Sequence, residues 1–447
     1  MKRMAHRARI AVAAFAVLLS VPAPIQAQWG DLGGWDGELA GENGETKLKL
    51  GVEMRTRYEQ RDGIRFGARH DKNTAYTRLR VGMSYLPAPW IKFSGMMNDS
   101  RAPLFGPDAS TSDRNGFDLQ ESYIDLFPDY KEGFGLTVGR KMLKYGDSRL
   151  IGTPDWGNVN QSFDQARLQY RFPKAQLELL FVSPVKAKED FDRPVLGDHV
   201  IGTYNTFPKL LGETTVQAYI LRRSRNRPGG FTAGSQAAGT DKVDQNIFGA
   251  RLNGPVAAGI NHTVEGVLQT GDVGAASFRA WGGVATLSRQ WTIGGKKLDG
   301  SGEYKFASGT HNPNDPARNG TFDTIYASNH DKFGHQDLLA WRNMHNFRAL
   351  AKCGLWKGFA VNIMYNNSWL ASTRDALYTN SGGVIAQDKT GAAGRHVGQE
   401  WDGFVTYKYK YHTFGAGYGY FFKGEFIRNA TSGVNPNYAY VFHTHSF

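Results

Sequence analysis

The 447-residue chain has one cysteine, Cys353, so no internal disulfide can hold it together. Beyond residues 10–21 it lacks any apolar run near the 20 or so residues that a membrane-spanning helix needs. No long stretch carries a helical period, and no repeat of 20–50 residues is visible, which argues against bundles, solenoids and propellers. The G-x-S-x-G and H-E-x-x-H patterns are missing. Carboxylate pairs such as Glu400/Asp402 and Glu121/Asp125 have the residue types of a glycosidase, yet such spacings recur on any polar strand face. Asn329, His330, Asp331, His335 and Asp337 are metal-ligand types without a metal-ligand spacing. The reading is therefore not an enzyme, with no metal and no cofactor. Glycine (54 residues) and aromatic side chains (13%) are abundant, which suits strands and turns.

The start of the chain sets the compartment. Lys2, Arg3, Arg7 and Arg9 precede the apolar run, and Ala27 ends a small-residue pattern. This predicts a signal peptide over 1–27 and a Gly- and Asp-rich periplasmic leader over 28–45. Removing those four basic residues lowers the formal charge from +12 to about +8. A basic exported protein suits an acidic polymer or lipopolysaccharide, and export argues against nucleic acid.

The stretch 395–409, RHVGQEWDGFVTYKY, alternates from Glu400 onward. Glu400, Asp402, Thr406 and Lys408 share one face, with Phe404 as the exception among them. Trp401, Gly403, Val405, Tyr407 and Tyr409 share the other. A period of two is a strand. In 47–58, Leu48, Leu50, Val52, Met54 and Tyr58 oppose Lys47, Lys49, Glu53, Arg55 and Arg57. In 74–85, Leu79, Val81, Met83 and Tyr85 oppose Tyr76, Arg78, Arg80 and Ser84. Strands are predicted over 47–58, 74–85, 90–98, 119–127, 134–141, 164–172, 175–183, 200–207, 215–223, 245–253, 260–270, 278–287, 298–306, 346–353, 359–369, 398–409, 413–422 and 437–447, eighteen in all.

The connections alternate in length. Those at 87–89, 173–174 and 410–411 are short, whereas 60–73, 101–118, 142–163, 224–244, 307–345 and 370–397 are long and polar. Aromatics gather near strand ends, as in Tyr85/Trp90, Tyr170/Phe172 and Tyr407/Tyr409. These features predict an all-β fold, a transmembrane antiparallel β-barrel of eighteen strands forming one domain over 46–447. A soluble sandwich would bury one apolar face equally well, but it does not explain the paired connection lengths. The chain ends in a strand at Phe447, on whose face His443 and His445 stand, both read as membrane-interface or assembly residues. Cys353 shares an apolar face with Phe347, Ala349 and Ala351 and is read as lipid-facing.

Three passages carry a family resemblance: GRKMLKYGDSRLIGTPDWGNVNQSFDQARLQY at 139–170, TFDTIYASNHDKFGHQDLLAWRNMHNF at 321–347, and LASTRDALY with GRHVGQEWD within 370–402. SYIDL at 122–126 also fits. Together they resemble the bacterial alginate export family of outer-membrane barrels. The resemblance implies an eighteen-stranded, monomeric barrel whose electropositive constriction passes an anionic polysaccharide outward.

With apolar faces toward lipid, the polar faces define a lumen. Candidate basic residues of the substrate path are Arg55, Arg57, Arg78, Arg80, Arg140, Arg167 and Arg348, with Arg251 and Lys352 also on strands. The acidic candidates are Glu53, Glu121, Asp125, Glu303, Glu400 and Asp402, with Glu178 beside them. Rings of Arg select anions, and the planar guanidinium grips a carboxylate with two hydrogen bonds. Interspersed acids would keep a polymer from being trapped. For any single Arg, a wall-supporting salt bridge is the alternative. Arg140 shares the parity of Phe134, Leu136 and Val138; either a bulge around Gly139 turns it inward or it sits beyond the membrane at the strand end, and the family resemblance favours a lumenal role. Asp155, Trp156 and Asp164 are candidates for a constriction at the pore mouth. Replacing Arg78 and Arg80 together by Ser is expected to lower anion selectivity in an intact barrel. The expected function is an outer-membrane channel for an alginate-like uronate polymer, and the alternative is a general or uptake porin for small anions, sugars or oligosaccharides. Periplasmic export partners would have only the leader and the short turns to meet.

Overall fold

A computed structural model describes residues 37–40, 47–67, 72–104, 113–128, 132–187, 191–226, 242–328 and 330–447. The expected signal peptide, most of the expected leader and Asn329 lie outside the described residues. Eighteen long strands follow one another: β1 Lys47–Asp62, β2 Lys72–Ala88, β3 Ile91–Arg101, β4 Asn115–Leu126, β5 Gly133–Lys141, β6 Phe163–Phe172, β7 Ala175–Lys186, β8 Asp198–Leu211 and β9 Thr214–Asn226 come first. Then come β10 Lys242–Ala257, β11 Ile260–Val273, β12 Ala276–Ile293, β13 Lys296–Ala307, β14 Met344–Trp356, β15 Phe359–Leu370, β16 His396–Tyr409, β17 His412–Lys423 and β18 Asn437–Ser446. Each pairs antiparallel with the next. β18 returns to β1, from Glu53 opposite Ser446 to Asp62 opposite Asn437, and the sheet closes. Closure leaves no long edge strand exposed. All eighteen strands read from the alternation are present.

The alternation sorts side chains between two environments. On β2, Leu79, Val81 and Met83 point outward and are 39–49% exposed, while Arg78 and Arg80 between them point inward and are 1% and 4% exposed. Cys353 alternates outward with Phe347, as its parity requires. Phe404 keeps strand parity as well: it faces inward and its ring lies on that of His335 at 4.6 Å.

One end of the barrel has tight turns. The turn from β12 to β13 is Gly294-Gly295, with φ of 55° and 74°, a combination that glycine adopts without strain. The other end carries long loops, with one exception at Gly274-Ala275 between β11 and β12. Loops 142–162 and 308–343 fold into the lumen. Their Leu150, Ile151, Phe322, Ile325, Phe333 and Trp341 form a core with inward wall residues such as Leu180, Val182, Val200, Ile247 and Phe278. The loop half of the lumen is thus partly apolar and filled. The inner face is therefore not polar throughout, because inward loops need apolar wall to pack against.

Candidate functional site

The basic ladder of β1 and β2 comes first. Strand pairing places Glu53 opposite Arg80, and Arg55 opposite Arg78. All four ladder arginines face residues 155–157 of the inward loop. Arg55 donates to the backbone carbonyls of Asp155 (2.9 Å), Trp156 (3.1 Å) and Gly157 (2.8 Å). Arg57 donates to the Trp156 carbonyl, and its guanidinium lies 4.2 Å over the Trp156 ring. Arg78 donates to the carbonyls of Asp155 and Gly157, both at 3.1 Å, and to Glu53 Oε1 at 2.7 Å. The Asp155 carboxylate takes Arg78 at 3.2 Å and Arg80 at 3.1 Å. The protein around Asp155 opposes its charge, but Arg78, Arg80 and Arg55 outweigh that and hold the carboxyl well below its usual range.

Trp156 is one of the places where the two inward loops meet. Its ring stacks on His330 of loop 308–343 at 4.8 Å and 2°, and its indole N–H donates to the Tyr438 hydroxyl at 3.2 Å. A cavity of about 250 Å³ borders this stack. A wider one of about 660 Å³ lies toward the loop end, lined by Arg61, Lys186, Arg223, Tyr326, Asp337 and Asn380 among others.

The remaining candidates divide by location. Glu303 gathers Arg149 (2.5 Å), Lys305 (2.8 Å) and Arg348 (3.4 Å). Asp125 holds Lys92 at 2.9 Å, Arg167 lies 3.7 Å from Glu178, and Glu121 accepts the Met142 backbone N–H at 2.8 Å. Glu400 and Asp402 are buried side by side and receive backbone N–H groups of Gln336 (3.1 Å) and His335 (3.4 Å). His335 itself is pushed down to about 4 by burial and by His330, so it is neutral at physiological pH. Among the described residues no group of three or more His, Cys, Asp or Glu is arranged to hold a metal.

Arg140 does not face the lumen, and the inward placement is corrected. The register of β5 with both neighbours runs through Gly139 without a shift. Arg140 therefore keeps the outward parity of Phe134 and Val138, which are 59% and 46% exposed. There it pairs with Asp164 at 2.8 Å, so Asp164 also stands outside the constriction that Asp155 and Trp156 form. Lys141 points inward in its place, 3.9 Å over the Tyr123 ring.

Three ion-paired residues of the lumen escaped the strand pattern. Arg149, Asp323 and Arg342 sit on the inward loops, where no periodicity marks a buried residue. Asp323 joins loop to wall through Arg223 (2.9 Å) and Arg342. Their only signal was membership of the long passages 139–170 and 321–347.

The sequence of 46–441 matches the family model for alginate export. The chain belongs to the alginate export family. Solved structures similar to this family member are Pseudomonas aeruginosa outer-membrane proteins. OccK2 (OpdF) in complex with glucuronate is 9% identical, with a TM-score of 0.59, over 90% of this chain and 98% of that one. OpdK with vanillate is 10% identical, with a TM-score of 0.59 and the same coverage. OccK11 (OpdR) is 12% identical, with a TM-score of 0.57, over 90% and 96%. At these identities the likeness is one of fold. No curated protein matches the sequence. Family and fold together make this an outer-membrane β-barrel channel, porin-like and surrounded by outer-membrane lipid. They are those of transport channels and not of enzymes.

Asp323 gives this alginate export family member a pH signature. Burial opposes its charge, but Arg342 and Arg223 outweigh burial and depress its carboxyl below the usual range. A depressed carboxyl contributes stability that is complete above the unfolded value of about 3.9 and is lost as pH falls through the folded value. Asp323→Asn should cost about 3 kcal/mol at neutral pH, because it takes the paired carboxylate from buried Arg342 and leaves Arg223 with Asp198 alone. Urea unfolding in lipid vesicles should show that gap constant from pH 8 to 5 and shrinking only below about 4.

Proposed function

We propose that this channel passes an anionic polysaccharide, an alginate-like uronate polymer, along a lumen lined by Arg55, Arg57, Arg78, Arg80, Arg167 and Arg348. The observation that carries the reading is the ladder of four guanidiniums crossing β1 and β2 beside the inward-folded segment 155–157. Permanent charge and a planar fork suit carboxylates spaced along a polymer. Glu53, Glu121, Asp125, Glu303, Glu400 and Asp402 offset part of that attraction, so a bound chain can move on. The barrel acts as a single closed pore, and the leader and turns would meet periplasmic partners. The test is single-channel recording in a planar bilayer under a KCl gradient, with and without polyuronate. An anion-selective reversal potential and block by the polyanion are the expected results; no ion preference and no block would overturn the reading.

A second reading, uptake of small carboxylates, is favoured by cavity size. About 660 Å³ holds a few sugar rings and not a long chain segment. Two structures of the same fold carry small carboxylates, glucuronate and vanillate. Flux of glucuronate into liposomes that exceeds flux of a neutral sugar, without polyuronate block, would favour it.

A further inference from the structure

The four ladder arginines are not equivalent. Arg78 is saturated: Nε and Nη2 donate to Glu53 Oε1 at 3.0 and 2.7 Å, and Nη1 to two carbonyls and to Asn160 Oδ1 at 3.2 Å. Arg55 spends both terminal nitrogens on loop carbonyls. Arg80 is different. It is 4% exposed, and its Nη1 reaches Asp155 Oδ1, but its Nε and Nη2 have no hydrogen-bond partner among the described residues. Those two N–H groups point the same way and form the edge of a guanidinium that fits a carboxylate. A buried donor without an acceptor is costly, so the site is built for an acceptor that the wall does not supply.

Asp155 has the complementary character. Its carboxylate caps Arg78 and Arg80, yet its side chain is 40% exposed, whereas theirs are 1% and 4%. The ion pair is thus buried on the wall side and reachable on the loop side. The segment 155–157 brings one carboxylate and three carbonyl oxygens to four guanidiniums. A uronate unit brings one carboxylate and several hydroxyl and ring oxygens.

We infer that Asp155 and the carbonyls of 155–157 are a resident stand-in for a uronate unit, which the saccharide displaces by placing its own carboxylate on the Arg78 and Arg80 guanidiniums that Asp155 caps. This rests on the polysaccharide reading above. The channel then stays narrow until its own cargo competes the loop away, and a neutral sugar cannot open it. Removing the Asp155 charge leaves Arg55, Arg78 and Arg80 facing only Glu53 at close range, so an incoming carboxylate meets more attraction and no rival.

The test compares wild type, Asp155→Asn and Asp155→Glu in planar bilayers, with a uronate hexasaccharide and a neutral glucan of equal length as probes. Asp155→Asn keeps the shape and loses the charge; Asp155→Ser is a second charge-removing variant should the first fail to fold, and heat-shifted gel migration reports folding. Expected is a higher conductance for the charge-removing variant and uronate block at about tenfold lower concentration, the scale of one charge-assisted hydrogen bond. Neutral glucan should act alike on all channels, and Asp155→Glu should behave as wild type. Uronate block unchanged or weakened by charge removal, in a wild-type channel that uronate does block, overturns the stand-in role and leaves the polysaccharide reading standing. A wild type that uronate blocks no better than glucan overturns both.

Discussion

Arg78→Ala is expected to raise single-channel conductance several-fold and to lower the stability of the folded barrel by about 3–5 kcal/mol, the range for breaking a buried ion pair. Arg78 is 1% exposed and ties three things together: Glu53 on β1, the carbonyls of Asp155 and Gly157, and the Asp155 carboxylate. Without it, Glu53 keeps only the longer 3.6 Å contact with Arg80. Loop 142–162 keeps Arg55, Arg57 and the Arg80–Asp155 pair but loses the Arg78 bonds to Asp155, Gly157 and Asn160. Conductance and the urea midpoint in lipid vesicles are the readouts. A lower midpoint with unchanged conductance would make Arg78 a wall strut that does not hold the loop. The same geometry changes what Arg78→Ser with Arg80→Ser should do. The charge pattern alone foresees lost anion preference in an otherwise intact pore. With the loop tied to both residues, lost preference should arrive together with a wider pore.

Glu303→Ala should be the most damaging single change in the lumen. Glu303 is 2% exposed and is the shared partner of Arg149, Lys305 and Arg348. Thr286 adds a hydrogen bond at 2.9 Å. Both inward loops meet here: Arg149 belongs to loop 142–162, while Lys305 and Arg348 donate to the carbonyls of Lys332 and Asp331 on loop 308–343. Alanine leaves three cations packed together with only the 3.9 Å contact of Arg149 to Asp147 as counter-charge, and the loss should reach at least the 3–5 kcal/mol of one broken buried pair. Folded yield and urea midpoint measure it. Lys305→Met in the Glu303→Ala background should recover part of the loss, because it removes one uncompensated charge. A wild-type midpoint for Glu303→Ala would show that lumenal water solvates these cations and that the cluster bears no structural load.

The wall was readable because one physical rule, alternation between lipid and lumen, acts on every strand. Arg55, Arg78 and Glu303 declared their side by parity with apolar neighbours. Arg140 followed the same rule: parity with Phe134 and Val138 already pointed outward, and the unbroken register kept it there. The loops obey no such rule. Arg149, Asp323 and Arg342 are buried because two long loops turn back into the barrel, and a loop sequence carries no period from which burial can be read. The apolar inward positions Val182, Val200 and Ile247 look like irregularities in a polar face until the loop residues that cover them are in place.

The sequence by itself determined the closed meander of eighteen strands, the faces of nearly every wall residue and the family, because a strand crossing lipid must declare its outward side residue by residue. Only the tertiary structure decided which arginines are already occupied. That depends on where a segment 75–100 residues away in the chain, residues 155–157, comes to rest against β1 and β2, and such pairing is set by packing across the lumen and not by local pattern.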